Sequence, residues 1–115
     1  MSIDAVRIKC TPWCLEADGH PNETGRADQN CLGYDTYVDL KLEEIDQDSY
    51  YGPYTSRFGL TPYRRFNQPP SVYFHIDLID HERGNIDREV HLTAAEAREL
   101  AAALLTVADT IERVV

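Results

Sequence analysis

Three cysteines and a histidine in the first third of the chain have the types and spacing of zinc ligands. Cys10 and Cys14 are separated by three residues, His20 follows after five more, and Cys31 after another ten. Structural zinc sites take thiolate and imidazole ligands in a tetrahedron, with cysteine pairs about two to four residues apart. The four side chains therefore predict a Cys₃His site in which zinc is a structural cofactor.

The same cysteines also fit plainer interpretations. A cysteine often serves only as a small buried hydrophobic residue, and an odd number of cysteines cannot all pair within one chain. Without Cys31, the remaining three ligands would leave the open position of a catalytic zinc, of the hydrolase or deaminase kind, but no general base stands beside the cluster. We therefore expect a reducing, cytoplasmic location, a structural metal and no enzymatic activity.

A second set of residues is typical of surfaces that bind protein partners. Residues 46–71 hold four of the six prolines and keep neither strand nor helix periodicity, so we expect a long loop there. Tyrosine and arginine are enriched where partners bind tightly. The alternative is that the aromatic side chains of this loop fold back over the sheet. The candidate partner-binding residues are Tyr50, Tyr51, Tyr54, Arg57, Tyr63, Arg64, Arg65 and Phe66.

The charge balance limits the kinds of partner. Twenty acidic residues against eleven basic ones give a net charge of −9, which repels nucleic acid and anionic membranes. No apolar stretch reaches the roughly 20 residues that a membrane span needs. The charge suits solubility, a basic partner or mimicry of a nucleic-acid surface. We therefore expect a protein-binding function, with an acidic nucleic-acid mimic that inhibits a host protein as the alternative.

Hydrophobic patterns predict the strands that position these residues. Residues 5–8 resemble a short strand, and residues 34–45 alternate as a half-buried strand with Val38, Leu40 and Leu42 on its apolar side. Residues 72–92 alternate on both sides of a Gly-Asn turn, which predicts a β-hairpin. Both strands of the hairpin can bury their even-numbered residues together, which fixes the register.

A helix is predicted directly after the hairpin. Thr93 and Glu96 have the spacing of a capping box, and apolar residues recur at helical spacing as far as Ile111. We expect this helix to cover the sheet and to bury Leu100 and Leu104. Further apolar residues lie off that stripe, which favours a homodimer formed through the helix.

The predicted fold class is therefore α+β, in one domain over residues 1–115. A small antiparallel sheet of three or four strands is covered by one C-terminal helix, and residues 1–33 form an irregular segment like a zinc knuckle.

The two ends of the chain resemble a known group of proteins. "CTPWC" at 10–14 with a histidine after it, and "LTAAEARELAAALLTVAD" at 92–109, are similar to small actinobacterial and actinophage proteins of unknown function. Those proteins pair a Cys-Pro-x-Trp-Cys segment with a helix that opens Leu-Thr-x-x-Glu-Ala. Here Pro12 precedes the tryptophan directly, and Cys31 would replace a second histidine. The resemblance implies an actinobacterial or phage origin and supplies no activity.

Overall fold

A computed structural model describes residues 11–15, 30–50, 52–65 and 68–113. The elements within them are β1 (Cys31–Leu32), β2 (Thr36–Asp39), β3 (Ile45–Asp46), β4 (Tyr54–Thr55), β5 (Arg57–Arg64), β6 (Ser71–Leu78), β7 (Ile86–Leu92) and α1 (Ala94–Glu112). Five strands form one antiparallel sheet, in which β5 pairs with β6 on one side and with both β1 and β2 on the other, and β7 pairs with β6. The strands β3 and β4 form a separate pair.

The predicted α+β fold class is confirmed: in the described residues, antiparallel strands precede one helix near the C-terminus. The described part of the main sheet has five strands, more than the three or four expected. The strand expected at 5–8 and most of the expected N-terminal segment lie outside the described residues.

The hairpin forms in the predicted register. Phe74 lies opposite Val90 and Leu78 opposite Ile86, so the even-numbered residues of β6 and β7 share one face. The connecting turn contains Gly84 at φ 89°, a conformation that a residue with a Cβ rarely adopts. Its amide donates to the carbonyl oxygen of Asp80 at 2.9 Å. We call the side of the sheet with these apolar residues the even face.

The prediction of a loop over 46–71 is wrong for residues 57–64, which form the central strand β5. Phe58 and Leu60 lie on the even face, opposite Ile76 and Phe74, and Gly59 between them lies on the other side. Pro62 obscures this pattern, because proline is rarely found inside a central strand. The nitrogen of Pro62, which has no hydrogen to donate, faces the point on the β1–β2 side where the neighbouring strand is interrupted. The carbonyl of Pro62 still accepts from the amide of Gly33 there, at 2.9 Å.

That interruption is a β-bulge between β1 and β2. Leu32 pairs with Tyr63 and Thr36 with Leu60, so three residues, 33–35, stand opposite two on β5. The predicted strand over 34–45 is correspondingly shorter, since β2 ends at Asp39. The bulge also shifts the alternation, and it brings Tyr37 to the same side of the sheet as Tyr63.

The fully buried Ser56, the one residue between β4 and β5, joins three segments of the chain. Its hydroxyl donates to the carbonyl oxygen of Glu44 at 2.8 Å and accepts from the amide of Ile79 at 2.9 Å. The amide of Leu40 donates to the Ser56 carbonyl at 2.9 Å. One small side chain therefore ties the segment after β2 to the end of β6.

Helix α1 begins as predicted but does not cover the sheet. The Thr93 hydroxyl accepts from the Glu96 amide at 3.0 Å, and the Glu96 carboxylate accepts from the Thr93 amide at 2.8 Å, which completes the capping box. None of its residues is buried, however, and Leu100 and Leu104 are 38% and 61% exposed. The expectation that the helix buries them against the sheet is wrong, because an open apolar groove lies between the helix and the even face.

Across the described segments, no helix combines the length and the apolarity that crossing a membrane requires.

Candidate partner-binding face

The side of the sheet opposite the even face carries a row of aromatic and ionisable side chains, which we call the tyrosine face. Strand alternation places them there: odd-numbered residues of β2, β5, β6 and β7 point to the same side in the observed register. Tyr54 joins them from β4, because its hydroxyl donates to Asp77 at 2.5 Å. The members of the tyrosine face are Asp35, Tyr37, Asp39, Tyr54, Arg57, Thr61, Tyr63, Tyr73, His75, Asp77, Asp87, Glu89 and His91.

Three rings pack together at one end of this face. The ring centroids of Tyr63 and Tyr73 are 5.8 Å apart, and the His91 ring lies 5.3 Å from Tyr63 and 5.2 Å from Tyr73. His75 extends the row, 6.1 Å from Tyr73. These separations and tilted planes are those of favourable aromatic pairs, so the rings form a continuous surface across β5, β6 and β7.

A cation already occupies the other end of the face. The guanidinium of Arg57 lies 4.0 Å from the centroid of the Tyr37 ring and 5.2 Å from that of Tyr54. Both distances are within the range of a cation–π interaction. This end of the tyrosine face therefore shows how its rings hold a planar cationic group.

Carboxylates hold the tyrosine hydroxyls in place. Tyr73 donates to Glu89, which raises the pKa of the phenol to about 12, and Tyr37 donates to Asp35 at 2.9 Å, which raises its pKa as well. Hydrogen bonds from Thr61 and then Tyr37 lower the pKa of Asp35. At neutral pH the phenols stay protonated as donors and Asp35 stays charged.

A depression of about 220 Å³ lies between the two ends of the tyrosine face. The buried residues Gly59 and Thr61 contribute to its lining, and a Cβ at Gly59 would come within 3.0 Å of the Tyr37 ring. Tyr37 and Tyr73 also line it, together with His75 and the charged Asp35. The depression therefore combines aromatic rings with a carboxylate, the pattern that recognises ammonium and guanidinium groups.

The structure divides the predicted partner-binding residues. Tyr54, Arg57 and Tyr63 lie on the tyrosine face, although Arg57 and Tyr63 are six residues apart on β5, about 20 Å. Arg64 is paired with Cys31 and so belongs to the other side. Tyr50 and Arg65 are exposed outside the strands, and Tyr51 and Phe66 lie outside the described residues.

Sequence reasoning missed the residues that complete this face. His75 and His91 were not among the predicted site residues; the register places them opposite Glu89 and Tyr73, and His75 contacts Asp87. The alternation of the hairpin already put Tyr73 and both histidines on one side. What it did not reveal was that β5 brings Tyr63 beside them.

Two of the four predicted zinc ligands lie in described parts of the chain. Thr11 to Cys14 form a turn closed by a 3.1 Å hydrogen bond from the Cys14 amide to the Thr11 carbonyl, and the amide of Leu15 donates to the carbonyl of Leu32 at 2.9 Å. This bond joins the residues that directly follow Cys14 and Cys31. Cys10 and His20 lie outside the described residues, and within the described ones no three metal-binding side chains cluster.

Comparison with known proteins places the chain in a family without assigning a role. It belongs to the family described as a domain of unknown function, DUF6907, whose model matches residues 3–115. No curated protein and no solved structure matches the chain.

Proposed function

We propose that the protein is a small binding module whose tyrosine face takes a basic segment of a protein partner. The observation that carries this proposal is the depression between Tyr37 and Tyr73, with the charged Asp35 in its lining. A depression of about 220 Å³ suits the head group of one side chain rather than a whole ligand. The partner would therefore bind along the face and insert one arginine or lysine.

Charge supports a basic partner. Five carboxylates lie on this face, and Arg57 is its one arginine within the described strands; the carboxylates are Asp35, Asp39, Asp77, Asp87 and Glu89. The net charge of −9 would accelerate the approach of a cationic segment. Tyrosine rings then supply contact area at a small entropic cost.

Arginine fits the face better than lysine. Arg57 shows that the rings accept a planar guanidinium at 4.0 Å, and a guanidinium can stack on a ring and bond a carboxylate at the same time. The acidic nucleic-acid mimic is a weaker interpretation, since Arg57 and the two histidines interrupt the carboxylates of this face.

Fluorescence anisotropy with labelled peptides tests the proposal. Three peptides of equal length, alternating glycine with arginine, lysine or glutamate, are titrated with the protein at near-physiological salt, where distant surface charges are screened beyond about 8 Å. We expect saturable binding of the arginine peptide, weaker binding of the lysine peptide and none of the glutamate peptide. Tyr73→Ala should lower the affinity for the arginine peptide roughly tenfold, as loss of an interface anchor does.

Tyr34→Ala is the matched control, because Tyr34 is 78% exposed and lies at the groove of the even face. Its affinity should equal that of the unsubstituted protein. The proposal would be overturned if the arginine and lysine peptides bound with equal affinity, if added salt abolished that binding and if Tyr73→Ala left it unchanged. Such a result would show that charge attraction alone holds the peptides.

We also propose that zinc stabilises the N-terminal segment through Cys10, Cys14, His20 and Cys31. Support comes from the donor types and from the 2.9 Å backbone bond between the residues that follow Cys14 and Cys31. The metal would supply folding energy to a segment rich in turn residues. Phage or actinobacterial origin, cytoplasmic location and the lack of enzymatic activity remain predictions of the sequence.

A further inference from the structure

We infer that α1 is the interface of a twofold homodimer in which the helices of two copies pack antiparallel, centred near Leu105. This inference uses the even face and is independent of the peptide site on the tyrosine face. It begins from exposure: Leu104, Leu105, Val107 and Ile111 are each 60–80% exposed. Contiguous apolar surface of this kind usually marks an interaction site.

The spacing of the apolar residues fits pairing with another helix. Ala97, Ala101, Leu104, Ala108 and Ile111 follow one another at intervals of four, three, four and three. This is the heptad seam of a helix pair. Over its 19 residues α1 is about 28 Å long, enough to present two heptads to a partner.

An antiparallel arrangement makes the seam complementary to itself. In a twofold interface, if residue i meets residue j, then j meets i. Placing Leu104 against Ala108 of the second copy also places Ala101 against its Ile111. Each layer then pairs one alanine with one large side chain, which is how facing layers interdigitate without voids.

The charges beside the seam select the same orientation. Arg98, Leu105 and Glu112 are seven residues apart and lie on one flank of the seam. In the antiparallel pair Leu105 meets Leu105 of the second copy, and Arg98 meets its Glu112. Flanking pairs of this type set orientation in coiled coils. A parallel pair would instead bring Val107 beside Glu112 of the second copy and would leave Arg98 without that carboxylate.

An open groove beside α1 can accommodate the helix of the second copy. An open apolar groove of about 510 Å³ separates the first turns of α1 from the even face, with Leu60, Phe74, Leu100 and Leu104 among its lining. The pairing of Ala101 with Ile111 of the second copy brings the end of that helix to this groove. One partner helix would thus cover both α1 and the sheet that α1 leaves open.

Size exclusion with light scattering tests the dimer at micromolar concentration. We expect twice the chain mass of 13.1 kDa. Leu104→Glu and Leu105→Glu should each give the monomer mass with unchanged circular dichroism, since both side chains are exposed in the single chain. Leu42→Glu is the matched control, because Leu42 is fully exposed in the segment between β2 and β3, and it should stay dimeric.

Charge exchange tests the orientation. Arg98→Glu and Glu112→Arg should each raise the dimer dissociation constant several-fold, and the double variant should restore it, because the antiparallel pair only exchanges the partners of the ion pair. A monomeric wild-type protein, or a dimer unaffected by both leucine variants, would overturn the interface. If the double variant had a higher dimer dissociation constant than both single variants, the antiparallel arrangement would be overturned.

Discussion

The guanidinium of Arg57 lies over the Tyr37 ring at 4.0 Å and reaches the Tyr54 ring at 5.2 Å, so one side chain of β5 links β2 to the β3–β4 pair. Exposed cation–π contacts contribute about 0.5–1 kcal/mol each. We expect Arg57→Ala to lower the free energy of unfolding by about 1–2 kcal/mol in urea titrations. Arg57→Lys should lose less, because it keeps the cation without the planar stack.

Arg83→Ala provides the comparison for this prediction, since Arg83 is exposed in the β6–β7 turn. Its effect should stay within about 0.5 kcal/mol, as for most surface substitutions. If Arg57→Ala and Arg83→Ala lowered the free energy of unfolding equally, the contacts between the guanidinium and the rings would not stabilise the fold.

The hydrogen bond from Tyr73 to Glu89 predicts a late titration of this phenol, in addition to the raised pKa of Tyr37. Glu89 raises the pKa of Tyr73 to about 12 because the phenolate would face a carboxylate. Since the folded pKa lies above the unfolded value near 10, this bond contributes its stability below pH 10 and loses it as the pH rises toward 12. Absorbance titration of the folded protein should show this late phenol, and Glu89→Gln should move its pKa down.

Asp46→Asn is the control for the titration, because Asp46 is a carboxylate of β3 that bonds the backbone amide of Asp48 and no tyrosine. The late phenol should persist in that variant. A titration in which Glu89→Gln leaves every phenol unchanged would contradict the assigned bond.

Local signals predicted the last third of the chain well. The capping box at Thr93 and the alternation of the hairpin each depend on residues close in sequence, so pattern alone suffices. Strand β5 was missed because Pro62 suggested a loop, whereas its nitrogen faces the bulge in the neighbouring strand. The bulge that accommodates Pro62 lies in a strand distant in sequence, so no pattern of neighbouring residues predicts it.

Burial of the helix was mispredicted for a related reason. Periodicity shows that Leu100 and Leu104 share an apolar side, but it does not show what covers that side. The structure leaves them exposed in the single chain. The tyrosine face was likewise predicted only in part, since the bulge determines that Tyr37 joins Tyr63 on one side of the sheet.

Ser56 offers a test of the junction before β5. Its hydroxyl donates to the part-buried Glu44 carbonyl and accepts from the buried Ile79 amide, and alanine would remove both bonds. Such a loss costs about 1–3 kcal/mol for a buried group. We expect Ser56→Ala to lower the free energy of unfolding by that amount, and to speed hydrogen exchange of the Ile79 amide selectively.

Ser49→Ala is the matched control, since Ser49 is only half-buried and lies outside the main sheet. Its stability should change by less than about 0.5 kcal/mol. If both serine variants are equally stable, the Ser56 hydroxyl is not the tie between these segments.

Zinc content gives the most direct test of the N-terminal segment. The short path between Cys14 and Cys31, through the bond of Leu15 to Leu32 at 2.9 Å, would let both thiolates reach one ion. We expect about one zinc per chain by elemental analysis, as a single Cys₃His site requires, and loss of that zinc in Cys14→Ser and in Cys31→Ser. His91→Asn, which removes a histidine of the tyrosine face, should keep the metal.

Because bound metal contributes folding energy, chelation should also lower the melting temperature of the wild-type protein and leave that of Cys14→Ser unchanged. Zinc that persists in both cysteine variants would place the metal elsewhere, and a protein purified without zinc that neither binds it nor gains stability from it would exclude the site.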